Sequence, residues 1–248
     1  MHVNRKSPIN LTIASYHGGV DQPREDVTND SPREQANAAV RDFLSSRDWS
    51  AQTPARQRIL GAFLRLATAN GFNSVTMRTL GRELDMKAPS LYSSFPRGKE
   101  EIVAESLSWF THRFARELLD AAEATTTPEE YWAALVRFHL AQQLQRPEAD
   151  LWDLLVATDR VARFLSDEVR QEVASWVRLH EDMYAAAAEE MGFRLSRKGT
   201  HVIFTLLDGA GRWAGWNGSD TDLRILMDYA VALSRSILEV GSRTHAQA

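Results

Sequence analysis

The sequence has no cysteine among its 248 residues. Disulfides, thiolate catalysis and cysteine-based zinc sites are therefore excluded, and a reducing cytoplasm suits the chain. No run of about 18 apolar residues exists, so nothing is expected to span a membrane. The opening MHVNRKSPINLTIASYHGG lacks the continuous apolar stretch of a signal peptide. Strand-like alternation is missing as well, which points to an all-α fold. Catalytic signatures are equally scarce. There is no His-Glu-x-x-His, no Glu-x-x-His pair, no glycine-rich phosphate loop and no Gly-x-Ser-x-Gly, and the histidines fall at no metal-ligand spacing. These absences argue against an enzyme and imply neither cofactor nor metal.

Charge of one sign is short in one place. Residues 51–98 hold Arg56, Arg58, Arg65, Arg78, Arg82, Lys87 and Arg97 against Glu83 and Asp85, a balance of +5, while the remaining residues carry −9 to give the chain its −4. A basic module on an acidic body suits a polyanion at one end. Residues 1–30 are polar and aperiodic and read as a disordered extension. Residues 31–50 read as an accessory helix, opened by a Ser31/Glu34 capping box with Pro32 in the first turn.

Within 51–98, Thr53 and Pro54 open one helix that ends at Gly71, and Thr76 caps a second, with Val75 and Leu80 as a hydrophobic staple. The third segment, LDMKAPSLYSSF, has poor helix formers. At 100° per residue Leu91 and Phe95 share its inner face, while Pro89, Ser90, Tyr92 and Ser93 point outward. Three short helices with a tight turn before the last make a helix-turn-helix, whose later helix enters the DNA major groove. Its small side chains let the backbone approach DNA. Ala88 and Pro89 suit thymine methyls, Lys87 and Ser90 suit base edges, and Tyr92 and Ser93 suit phosphates. Lys99, a cation opening a helix, is misplaced against the helix dipole unless a phosphate binds there.

The stretch RILGAFLRLATANGFNSVTMRTLGRELDMKAPSLYSSFPRGKEEIV resembles the DNA-binding module of TetR-family transcriptional regulators over about fifty residues, Thr53 to Val103. The resemblance implies that Tyr92 and Lys99 bind phosphates and that Lys87, Ala88, Pro89 and Ser90 face bases. Thr76 and Arg78, at the start of the second helix, join the DNA-facing set. Asp85 at the turn, Lys87 before the last helix and the inserted Gly98 depart from the usual pattern; they bear on operator sequence. The resemblance also implies that residues 99–248 form a helical ligand-binding and dimerisation domain. The chain would then be a cytoplasmic homodimer on double-stranded DNA, a repressor at a palindromic operator released by a small-molecule effector. A helical protein that binds a small molecule or partner without reading DNA remains the alternative.

For the dimer, Leu223, Leu226, Ala230, Leu233, Ile237 and Val240 recur at spacings of 3 and 4, a heptad-like seam. Ile203, Leu207, Ala210 and Ala214 make a narrower stripe in the preceding helix. For the ligand, Trp132, His139, Trp152, Trp176, His180 and Tyr184 lie on or beside the apolar stripes of three central helices, and Trp109 and His112 are candidates to extend the wall.

Overall fold

The computed structural model describes residues 30–49 and 52–245, and the expected N-terminal extension lies outside them apart from Asp30. Among the described residues every regular element is helical. Helix starts are set by local chemistry. Ser31, Thr53 and Thr127 cap helices α1 (Pro32–Ser45), α2 (Pro54–Asn70) and α6 (Pro128–Gln145), and a proline follows each cap. The proline lacks an N–H that would be orphaned there anyway.

Between α2 and α6 the chain forms a 3-10 turn (Phe72–Ser74), α3 (Met77–Leu84), α4 (Ala88–Ser94) and α5 (Lys99–Glu123). Thr76 accepts from the Thr79 N–H and Thr79 answers back to the Thr76 N–H, while Val75 and Leu80 are both buried. The α3–α4 turn closes with Asp85 in the left-handed region (φ 51°), with the Met86 N–H donating to the Gly81 carbonyl at 2.8 Å and the Asp85 N–H to that of Arg82. This is a Schellman closure with aspartate where glycine is usual, and aspartate tolerates the conformation better than most residues.

After α6 come α7 (Pro147–Ala162), α8 (Asp167–Glu190), α9 (Arg197–Asp208), α10 (Ala210–Trp213) and α11 (Asp220–His245). Near the end of α7, Asp159 receives the Leu165 N–H at 2.7 Å and pairs with Arg170, which ties the end of α7 to the start of α8. Helices α9 and α10 are separated by a break at Gly209. The break frees the Leu206 carbonyl, which the Trp213 indole N–H takes at 2.7 Å.

Two apolar cores result. One gathers Ile59, Leu60, Phe63, Leu80, Leu91 and Phe95 of the basic module. The other fills the body, and α1 belongs to it through Val40 and Leu44 rather than to the basic module. Helix α5 serves both, with Ile102, Val103 and Leu107 in the first and Phe110, Phe114 and Leu118 in the second. Leu151, Leu155 and Val173 of the body also reach the first core.

The dimer seam needs correction. Ile203, Leu207, Ala210 and Ala230 are wholly buried inside this one chain, and Leu226 and Ile237 pack on the same core. Ala214 and Leu233 are half-buried. Helix α6 takes up these inner faces of α9 and α11; its Trp132 indole donates to Ser234 at 2.9 Å. Apart from Val240 at its end, the heptad-like spacing marks an intrachain seam. The outward apolar residues of α9 and α11 are Val202, Ile225, Tyr229 and Val240, each more than half exposed.

Gly81 supplies a stability test. A Cβ there would stand 2.8 Å from the Met86 carbonyl oxygen, which is backbone and cannot swing aside. Gly81→Ala is expected to lower unfolding free energy by about 1–3 kcal/mol. Gly61→Ala in α2, where the nearest new neighbour is the mobile Arg65 guanidinium at 3.6 Å, is expected to be neutral or to gain up to ~1 kcal/mol. Urea denaturation of both variants checks the contrast.

Candidate nucleic-acid interface and ligand cavity

Helix α4 is held by its two apolar residues and one clamp. Leu91 and Phe95 are wholly buried. Arg56 of α2 stacks its guanidinium over the Phe95 ring at 4.1 Å, donates to the Ser94 carbonyl at the end of α4 and pairs with Glu105 of α5. It is thus a structural cation, subtracted from the basic surface. The same carboxylate faces Arg47 at 3.7 Å, and Arg47 also reaches Glu172 of α8 at 3.9 Å. Glu172 accepts from Ser108 at 2.8 Å and meets His112 Nδ1 at 3.2 Å. These contacts hold its pKa below the ordinary glutamate value, although burial opposes them as the largest single influence.

So anchored, α4 presents Lys87, Ala88, Pro89, Ser90, Tyr92 and Ser93 to solvent on one continuous surface, with Arg78 and Arg82 of α3 exposed beside them. Thr76 is exposed, but its hydroxyl is occupied by the α3 cap. The Tyr92 ring lies against Gly98, where a Cβ would come within 3.4 Å of it. Gly98 has φ 69° and starts α5, so the inserted residue makes the turn that brings α4 and α5 together.

Lys99 differs from expectation. Its ammonium donates to the Phe72 carbonyl at 2.8 Å, approaches that of Asn73 at 3.5 Å and lies 5.7 Å from the Phe72 ring centre. Partial burial lowers its pKa. The cation expected to wait for phosphate is satisfied by carbonyls of the 3-10 turn, and a phosphate must compete with them.

In the body, a cavity of about 240 Å³ opens among α5–α9. Four of the expected ring residues line it: His139, Trp152, Trp176 and His180. The other four do not. Trp132 is wholly buried and bonded to Ser234. Tyr184 is packed edge-on against Trp132 and Phe204 behind the wall. His112 stacks on Phe43 at 4.7 Å within the Glu172 network. Trp109 borders the other core under the Arg113 guanidinium. These rings share helical stripes with the cavity residues and simply fill space.

The reading of the sequence missed Phe110, Phe114 and Phe204, which complete the aromatic wall, and the polar residues Thr111, Gln143, Asp153, Arg160 and Asp208. Ala149, Asp153, Val156 and Arg160 recur at helical spacing, a signal that was available for the α7 face. His139 Nε2 bonds Asp208 at 2.8 Å. His180 lies flat on Trp176, 5.3 Å between centres, and burial followed by the neighbouring His139 holds its pKa well below the usual value, so it is neutral. Burial, reinforced by the Asp208 charge, pushes Asp153 up to about 6.

Residues 59–106 match the family described as bacterial regulatory proteins, tetR family. The HTH-type transcriptional regulator LmrA of Bacillus subtilis (strain 168) is 30% identical over 76 residues, 31% of this chain; the chain spans 40% of that relative's length. A tetR-family regulatory protein from Rhodococcus RHA1 superposes with a TM-score of 0.61 at 20% identity, covering 75% of this chain and 98% of its own. A putative transcriptional regulator from Saccharomonospora viridis, solved with choline, gives 0.58 at 21% identity over 72% of this chain and 94% of its own. At such identities the structural likenesses establish the shared fold.

Asp153 generates a pH test. An acid whose folded pKa exceeds its unfolded value of about 3.9 opposes folding once ionised. The penalty is absent below about pH 4, grows as pH rises toward about 6 and is constant beyond. Asp153→Asn is therefore expected to be more stable than the parent near neutrality by about 1–3 kcal/mol, after allowance for partial exposure. The gap should close below about pH 4. Thermal unfolding across that range measures it.

Proposed function

We propose that the chain, whose residues 59–106 match the tetR family of bacterial regulatory proteins, is a ligand-responsive transcriptional repressor that binds a palindromic operator as a dimer. One observation carries the reading. The outer face of a short helix with small polar side chains is exposed, pinned from behind by Leu91, Phe95 and Arg56, and α5 links that anchorage to a cavity in the body. Family regulators act by binding rather than catalysis, in keeping with the missing catalytic motifs.

Lys87, Ala88, Pro89 and Ser90 read base edges, while Tyr92, Ser93 and Arg78 meet phosphates. Thr76 contributes through the exposed end of α3, and Lys99 joins once it leaves the 3-10 carbonyls. The outer faces of α9 and α11, with Val202, Ile225 and Tyr229, pair two copies and set the reading helices about 34–36 Å apart, one turn of DNA.

The cavity reaches the reading helix along two routes. Phe110 and Phe114 line it directly from α5. Trp176 lies 5.9 Å from Phe43, which stacks on His112, and from there Glu172, Arg47, Glu105 and Arg56 lead to the Ser94 carbonyl. A ligand that prefers a different α5 position lowers operator affinity, and a coupling of ~1–3 kcal/mol corresponds to about 5–150-fold.

The test begins with selection of bound duplexes from random oligonucleotides, followed by affinity against salt. Binding should weaken with a slope of ~−0.9 per neutralised phosphate. Tyr92→Phe should weaken all duplexes alike, whereas Lys87→Ala and Ser90→Ala should alter the selected site. No retention of any duplex at low ionic strength sinks the proposal. The dimer face is tested separately. Ile225→Glu combined with Tyr229→Glu should sediment as a monomer and lose operator affinity by about 100-fold or more, since one half-site contact is surrendered. A double variant that remains a dimer rules that face out.

A further inference from the structure

The cavity has a one-sided chemistry. Its apolar wall is aromatic, with Phe114, Trp152, Trp176 and Phe204 meeting around two imidazoles. Two carboxylates line it, Asp153 and Asp208, against a single guanidinium, Arg160, which is largely exposed to solvent. Asp208 is engaged by His139 Nε2. Asp153 has only a long contact from Gln143 at 3.5 Å. Two ring nitrogens in the wall, His139 Nδ1 and His180 Nε2, are buried with no hydrogen-bond partner, and both residues are about 95% buried. The cavity thus offers negative charge and π faces, with one guanidinium at its edge. Buried polar atoms without partners are costly until something satisfies them.

We infer that the cavity takes a small protonated organic amine, its ammonium held by Asp153 and its apolar body against Trp176, Phe114 and Phe204. This rests on the regulator reading only in calling the occupant an effector. Each feature fits that chemistry. A cation is attracted to aromatic faces, more strongly where water is excluded. An N–H-bearing ammonium donates to Asp153, whose own hydrogen bonding is sparse. A volume of about 240 Å³ equals about eight waters' share of liquid, which suits an amine with one ring or a short chain. An anion of equal size meets two carboxylates instead.

The test uses the full chain and a pair of probes of similar shape and opposite charge, 2-phenylethylamine and 3-phenylpropionate, by calorimetry and by tryptophan fluorescence from Trp152 and Trp176. The amine should bind about tenfold or more tightly than the acid. Asp153→Asn should reduce amine affinity by a similar factor while unfolding at no lower temperature than the parent. Amine binding should also weaken as pH falls through about 6, where Asp153 takes up its proton. The groups around Asp153 are Asp208 from α9, His139 and Gln143 from α6, His180 from α8, and Asp150 and Arg160 from α7. Equal or tighter binding of the acid overturns the inference. So does an amine affinity indifferent to Asp153→Asn, and so does no binding of the amine at millimolar concentration. Duplex retention by the same preparation without any amine reports on the regulator reading independently, so the two can fail separately.

Discussion

One helix belongs to two cores, and the rest of the molecule depends on that. Helix α5 places Ile102, Val103 and Leu107 under the reading helix and Phe110, Phe114 and Leu118 in the body. Its 25 residues span about 37 Å at 1.5 Å per residue. Close-packed interiors yield by discrete repacking rather than by gradual compression. A change at Phe114 therefore reaches Leu107 as movement of a rod. Without the shared helix, the basic module and the acidic body would be two units joined by chain alone.

Charge is used differently in the two halves. Around Glu105 and Glu172 the carboxylates are met by Arg47, Arg56 and His112, and the network joins α1's end, α2, α5 and α8. Half-buried pairs of this kind contribute little net stability, because desolvation offsets attraction. They do fix which partner faces which, and so fix the register of α4 against α5. In the cavity the carboxylates are left short of partners, with Asp153 carrying the cost. A surface that binds something is the usual place for such incomplete satisfaction.

Much of this was legible in the chain. The Thr76 cap, the Val75–Leu80 staple and the inward Leu91 and Phe95 are local decisions, set within a few residues, and they read correctly for that reason. The left-handed Asp85 was readable on the same grounds. The dimer seam was not, since a heptad-like stripe records burial without recording whose helix does the burying. Ile203 and Ala230 face α6 of their own chain, and the exposed Ile225 and Tyr229 carry a weaker pattern. Ring residues were ambiguous likewise: Trp132 and Trp176 sit on similar stripes, and only the packing of five helices decides that one is core and the other wall. Lys99 was read from its own helix, yet its partners lie 26 and 27 residues earlier. Asp153 and Asp208 look in sequence like any surface acids; their proximity is a property of the assembled bundle.

The cavity wall therefore holds charge at a cost. Asp153 is desolvated and sparsely hydrogen-bonded, and a cation beside it offsets that cost. That relief alone moves no equilibrium, because a ligand shifts populations only by its difference in affinity between states. The difference has to come from a wall that stands differently when α4 is docked in DNA. Asp153 on α7, His139 on α6 and His180 on α8 do not touch the reading helix. Phe110 and Phe114 are on the helix that does, through Glu101 and Glu105 facing the Arg56 clamp. On the proposed reading, affinity arises from the polar side of the cavity and its dependence on DNA from the aromatic side, which is why both sides are needed for a ligand to act as a signal.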